Sequence, residues 1–530
     1  MSTPSRGHMI RVPTDATMVE HTGESPASGR SRSGSEETAV PSPQICVSST
    51  VVPPDNKHRC LILCFDGTWD QFSTHNSNVV QLVSALEKDD REKQMVYYQS
   101  GIGTYTAFKL TPLLTKLSLI TDAAIGWNLA AHIIGGYEFL MQNYKDGDRI
   151  CIFGFSRGAY IARSLAGMLD KVGLLPADNH EQVPFAYRMY ARKNPASSSD
   201  AFKKTFSKDV QIQFIGVWDT VESVGLIPKS LPFAESNTIV RTFRHAVSLD
   251  ERRAKFQPNL WDYDDKSPKV PQPSWALPIL RMRKHFRKSS EPEVDDDTEQ
   301  MNFEPAYGQM HPTDILEVYF AGCHCDVGGG SVGNDMRPSL ARIPLRWMIR
   351  ECFEAKTGMM FNAQRLQELG LNPATLYKHE DGYLRFPKKS LHIPDGLRID
   401  PRKSRKCQES PAKIRPMEEE DLTDALESSI HDSLTRNPFW WILEVIPFTF
   451  RYKSRPDNKL HTEFRPNLWR ARKIPLQKGH NGNPLAHDYK PPMNLKVHRS
   501  VEVRKKACDA KGRPFYKNRA DFKGLLDYVD

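Results

Sequence analysis

Three residues of this chain have the types and order that nucleophilic catalysis needs: Ser156, Asp219 and His324. Ser156 lies in Gly154-Phe155-Ser156-Arg157-Gly158-Ala159, a G-x-S-x-G pattern. Small residues on both sides let a strand turn sharply into a helix with the serine at strained dihedrals. A serine hydroxyl is a poor nucleophile at its own pKa, so a base must accept its proton and an acid must orient that base. Asp219 and then His324 follow in the chain order that accompanies such a turn, and Gly322 with the run Gly328-Gly329-Gly330 is expected to give the histidine a loop flexible enough to reach Ser156. Asp250 and Asp326 are rival acids. His132 and His245 are rival bases, but His132 lies within a helical pattern and His245 precedes the apolar run of its strand. The developing oxyanion needs two N–H donors, one of them from the residue after the nucleophile. That residue is Arg157, and the second donor is expected from Gly67 or Thr68, with Asp66 holding their turn.

These residues require a scaffold that brings strand ends together. Cys60–Phe65 is an unbroken apolar run ending at Asp66-Gly67-Thr68, as suits a strand buried on both faces of a parallel sheet. Further strands are expected at Met95–Tyr98, Arg149–Phe153, Val210–Trp218, Arg244–Leu249 and Leu316–Ala321. Between them, Ile125, Leu129, Ile133, Gly136 and Leu140 recur at helical spacing, and a helix carrying Ala162, Leu165, Leu169 and Val172 stops at Gly173. Alternating strands and helices give the fold class: α/β, with a mostly parallel sheet covered by helices on both faces. Asp66, Ser156, Asp219 and His324 all follow strand ends, where such sheets bind ligands.

Around this core, residues 1–57 read as a disordered tail rich in Ser, Pro, Gly and Arg, and 58–360 as the catalytic domain, with insertions at 177–208 and 262–312. Residues 361–530 read as a Pro/Lys/Arg-rich extension with one dense apolar patch, Pro438–Phe448. That patch either packs onto the sheet domain or presses Trp440 and Trp441 into a lipid headgroup layer. With 530 residues and 39% hydrophobic residues the chain is not wholly disordered. No window approaches the ~20 apolar residues of a membrane-spanning helix, and Met1–Pro54 has no apolar h-region of a signal peptide. The net charge of +9 is modest, and no nucleic acid is expected as a partner. The nine cysteines are scattered, and Cys323-His324-Cys325 lacks a second half-site of zinc spacing. Neither metal nor cofactor is therefore expected. Asp66-Gly67-Thr68 supplies half of the D-x-D-G-T of an aspartyl phosphatase, but Cys64 occupies its nucleophile position.

Phe65–Trp69, Gly154–Ala159, Val217–Val221 and the run Gly322–Gly330 together resemble the α/β-hydrolase domain shared with type VI secretion phospholipase effectors, over about residues 58–352. Four motifs in matching order carry the resemblance. It implies a Ser156/Asp219/His324 triad and hydrolysis of glycerophospholipid esters. His324-Cys325-Asp326 replaces the commoner His-Ser-Asp, and the C-terminal region resembles fungal members. The expected function is a serine hydrolase of carboxylic esters, with phospholipid or other lipid esters as substrates, acting through the triad and an acyl-enzyme. The alternative is an inert hydrolase-like binding scaffold. Expected partners are a lipid or small ester substrate and a peripheral membrane contact, and the expected location is cytoplasmic.

Overall fold

In a computed structural model of the chain, the described residues are 50–68, 70–101, 118–192, 196–221, 239–261, 313–378, 382–383, 417–453, 460–472, 474, 495–508, 512–520 and 526–530. The expected tail up to residue 49, the 262–312 insertion and Trp69 of the first motif lie outside them. Eight strands build the main sheet: β1 Cys60–Phe65, β2 Gln94–Gln99, β3 Arg149–Phe155, β4 Ile212–Trp218, β5 Val240–Ser248, β6 Asp314–Phe320, β7 Leu495–His498 and β8 Leu526–Val529. Their order is β8-β7-β6-β5-β4-β3-β1-β2, and every neighbouring pair is parallel. This is the expected α/β class.

The unbroken apolar runs follow from burial on both faces. Leu61, Leu63, Ile150 and Ile152 pack on one side with Ile133 of α2 (Ser118–Asn143) and Leu165 of α3 (Arg157–Val172). Their neighbours Cys60, Ile62, Cys64, Cys151 and Phe153 point the other way. There they meet Leu82 of α1 (Asn78–Ala85) and Trp347 and Ile349 of the helix Arg342–Glu354. The 177–208 insertion forms two helices, Val183–Ala191 and Ala196–Phe206, and Gly173 caps α3 at a positive φ of 68°.

Two strands were not anticipated. β7 and β8 come from the C-terminal 361–530 region and extend the sheet beyond β6. Val497 of β7 packs with Val247, Tyr319, Val501 and Tyr516, so this region contributes to the same sheet's core. The apolar patch forms a short helix, Phe439–Val445, followed by an antiparallel pair, Phe448–Lys453 with Leu460–Arg465.

Candidate active site

The parallel sheet aligns the ends of β1, β3, β4 and β6, and the singled-out residues follow those ends. Ser156 connects β3 directly to α3 at φ 58° and ψ −119°. Left-handed φ is costly for a residue with a side chain and persists only when its surroundings enforce it. The enforcement is visible in the neighbours. A Cβ on Gly158 would lie 2.2 Å from the Phe65 carbonyl oxygen, and one on Gly154 2.5 Å from that of Gly158. Both contacts are to backbone, so neither can yield cheaply. The Ser156 N–H donates to the Trp218 carbonyl at 3.0 Å, tying the turn to the end of β4.

The next residue after β4 is Asp219, itself at a positive φ of 39° and fully buried. His324 follows β6 in a short helix, His324–Gly328. The two residues, 105 positions apart, meet: His324 Nδ1 lies 2.6 Å from Asp219 Oδ2. The ring sits between Phe155, with centroids 4.7 Å apart, and Phe256, 4.8 Å away edge-on. Phe155 immediately precedes Ser156, so the imidazole lies beside the serine turn. Among the described residues no hydrogen bond joins Ser156 to the other ring nitrogen. Such bonds are often long without substrate and tighten when it binds.

The rivals are placed elsewhere. Asp250 accepts from the Gly322 N–H, Tyr516 and the Arg519 N–H. Asp326 pairs with His431 and accepts the Cys323 N–H. His245 is bonded to Glu317 at 2.9 Å and accepts the Thr220 N–H. His132 lies in α2.

Gly67, Thr68 and Arg157 are the candidate donors to an oxyanion. Gly67 is committed, its N–H donating to Asp66 Oδ1 at 2.8 Å. This removes it as a donor in the present geometry, and Asp66 holds the turn as expected, with Tyr98 donating to its other oxygen. Arg157 is the first residue of α3, where backbone N–H groups have no intrahelical partner. The Thr68 hydroxyl is buried and makes no hydrogen bond among the described residues, leaving Thr68 and Arg157 as the pair with polar groups to offer.

The glycines after His324 also need reinterpretation. They were expected to give the histidine a flexible reach. Instead a Cβ on Gly328 would sit 1.8 Å from the Phe155 ring, and one on Gly329, at φ 91°, 2.5 Å from Asn78 N. Close approach, rather than mobility, demands glycine here.

One participant was not anticipated at all. Arg472, from the C-terminal region, is buried and donates to both oxygens of Asp219: Nη1 to Oδ1 at 2.7 Å and Nη2 to Oδ2 at 2.9 Å. Burial alone would raise the Asp219 carboxyl. The Arg472 charge and the His324 hydrogen bond more than offset that and hold it well below the usual carboxylate range. For His324, burial pulls the imidazole below its ordinary value against the opposing pull of Asp219. Glu251, which accepts the His324 N–H at 3.2 Å, is likewise buried, yet its Arg253 partner brings it down to about 2. No local pattern marks Arg472, which is one of 73 Lys and Arg residues.

A sequence profile of the family described as "T6SS, Phospholipase effector Tle1-like, catalytic domain" matches residues 59–351. The chain belongs to this family. Among similar relatives is the "Uncharacterized protein YEL023C" of Saccharomyces cerevisiae, 29% identical over 526 residues, covering 78% of this chain and 76% of the yeast protein. Two solved structures show similarity at 18% identity. One is an uncharacterized protein from Pseudomonas aeruginosa, with a TM-score of 0.31, covering 57% of this chain and 46% of that one. The other is the Tle1 effector bound to the VgrG spike from the Type 6 secretion system, with a TM-score of 0.26 and coverages of 54% and 53%. The chain spans about half the length of these solved chains. The Tle1-like catalytic region as matched contains Ser156, Asp219 and His324, whereas Arg472, β7 and β8 lie beyond it. Among the described residues no helix is long and apolar enough to cross a membrane.

Proposed function

We propose that this chain is a serine hydrolase of carboxylic esters, with phospholipid esters as its substrate class. The observation that carries the reading is the 2.6 Å contact between His324 and Asp219 beside a serine held at a strained strand-to-helix turn. In this mechanism the Ser156 hydroxyl attacks the ester carbonyl while its proton passes to His324 Nε2. Asp219 accepts the hydrogen bond from Nδ1–H and so fixes the tautomer that leaves Nε2 able to accept. The tetrahedral oxyanion takes N–H donation from Arg157 and from the Thr68 turn. Collapse breaks the ester C–O bond, and the imidazolium returns its proton to the leaving alcohol. Water, deprotonated by the same imidazole, then hydrolyses the acyl-Ser156 bond.

The phospholipid class is supported by the family's description. We propose with it that the protein is cytoplasmic and touches membranes peripherally through its C-terminal apolar patch.

A second reading, an inert binding scaffold, is favoured by two specific observations. Arg472 already balances the charge of Asp219, and Ser156 makes no hydrogen bond to His324. A fluorophosphonate probe separates the readings. Labelling of the wild type that disappears in Ser156→Ala and His324→Ala supports the hydrolase. A folded wild-type protein that takes no label, and whose ligand binding survives Ser156→Ala, supports the scaffold.

A further inference from the structure

In the usual triad the acid's charge is available to the imidazolium. Here it is shared. All three side-chain nitrogens of Arg472 are engaged: Nη1 and Nη2 grip the two oxygens of Asp219, Nη1 also donates to Ser248 Oγ at 2.8 Å and Ser248 O at 3.1 Å, and Nε donates to Phe256 O at 2.9 Å. Phe256 is the ring that stands edge-on to His324. One guanidinium therefore fixes the carboxylate that orients the histidine and also the backbone of the aromatic wall beside it. A planar fork can do this, whereas an ammonium, as a point charge, cannot span both oxygens and a carbonyl in the same plane.

We propose that Arg472, contributed by the chain beyond the family-matching region, is a positioning residue of the Ser156–His324–Asp219 site that clamps the Asp219 carboxylate and balances its charge. The inference rests on the hydrolase reading for its catalytic meaning, although its electrostatic part stands alone. With Arg472 in place, the buried group of Arg472, Asp219 and neutral His324 carries no net charge. Without it, the same pocket holds a lone anion, which His324 relieves by taking up a proton.

The other charged neighbours do not substitute for it. Glu251, behind the His324 backbone, is neutralised by Arg253 at 2.8 Å, and that guanidinium lies 3.5 Å over the Phe256 ring. On the β5–β6 side, His245 is matched with Glu317. Asp250 is engaged by Tyr516 and two backbone N–H groups, and Asp326 by His431. Burial raises the thiols of Cys323 and Cys325, which keeps them neutral at physiological pH. The charge of Arg253 also opposes protonation of His324, but Arg472 is the cation that directly grips the Asp219 carboxylate of the pair. It keeps the imidazole deprotonated, and so able to act as a base, further into the acidic range.

The test is an NMR titration of the His324 ring in full-length protein carrying isotopically labelled histidine, run beside fluorophosphonate labelling rates at Ser156. In the wild type the His324 midpoint is expected below 6.5. In Arg472→Gln it is expected to rise by one pH unit or more. In Arg472→Lys, which keeps the charge but loses the fork, the midpoint is expected to stay within about half a unit of wild type while the labelling rate falls about tenfold. An unchanged midpoint in a folded Arg472→Gln protein overturns the proposal. Should that variant not fold, full wild-type labelling by Arg472→Lys overturns the clamping role by itself. Absence of any wild-type label alongside the expected midpoint shift would instead remove the hydrolase reading and leave the charge coupling in place.

Discussion

At the scale of single residues, the carboxylates near Ser156 divide by what they touch. Asp219 reaches the imidazole, and Asp250 reaches Gly322, Tyr516 and Arg519 instead. Asp219→Asn is therefore expected to lower kcat/KM on a soluble ester by about 10³–10⁴, the cost of holding the wrong tautomer, with Asp250→Asn losing far less. Equal losses would assign the acid wrongly. Asp70 offers a different test. Burial, aided by the charge of Asp66 and opposed by that of Arg157, raises its carboxyl to about 7. A carboxyl that binds its proton more tightly when folded than unfolded costs stability as pH rises from its ordinary value of 3.8 to about 7. Asp70→Asn removes that cost, so its Tm advantage over wild type is expected to widen from pH 5 to pH 8. A difference that stays flat with pH would show that Asp70 is not held in this way. Ser156, Asp219 and His324 were legible as candidates because each follows a strand end. Arg472 was not, since its meaning depends on a contact 253 positions away that no local pattern records.

At the scale of elements, the strands that were legible are those buried on both faces. β1 is CLILCF with every residue buried, and neither helix nor half-exposed strand explains such a run. β7 and β8 read LKVH and LDYV. They are short, carry charge and lie at or next to the sheet edge, so the pairing of β7 with β6 and of β8 with β7 left no hydrophobic signature. The serine turn was legible for a related reason, because its glycines answer to backbone contacts that only a strand-to-helix crossing creates. Gly158→Ala tests this directly. Its new methyl meets the Phe65 and Asp66 carbonyls at 2.2 and 2.4 Å, and overpacking against groups that cannot move costs about 1–3 kcal/mol or more. The expected outcome is a lower denaturation midpoint together with lost labelling of Ser156. Wild-type stability and labelling in Gly158→Ala would mean that α3 and β1 do not approach so closely. The His324 loop was misjudged because glycine was read there as freedom, when Phe155 and Asn78 leave no room for any other residue.

At the scale of the whole molecule, the C-terminal region joins the candidate site to an exposed apolar surface. Trp440 turns inward, its ring 5.4 Å from Phe256, which in turn faces His324. Its neighbour Trp441 is 50% exposed and meets the 40% exposed Trp469 edge-on, beside exposed Ile442, Val445 and Leu468. Buried Glu444 holds these segments together by accepting from the Ala254 N–H, Asn467 and the Trp469 N–H. The two tryptophans expected to act alike thus separate into one that walls the site and one that faces outward. In sequence, residues 433–471 carry seven Lys and Arg against three Asp and Glu, a charge balance suited to an anionic lipid surface. In co-sedimentation with vesicles rich in anionic phospholipid, the double variant Trp441→Ser/Trp469→Ser is expected to bind roughly tenfold more weakly or worse, since withdrawing two interfacial indoles removes on the order of 1.4 kcal/mol or more. Raising salt is expected to weaken the wild type further, and labelling of Ser156 by a small soluble probe is expected to persist in the double variant, because neither indole contacts His324. Vesicle binding left intact by the double substitution would separate the exposed surface from the membrane, and would leave Trp440, Phe256 and Arg472 as the route by which the C-terminal region acts on the site.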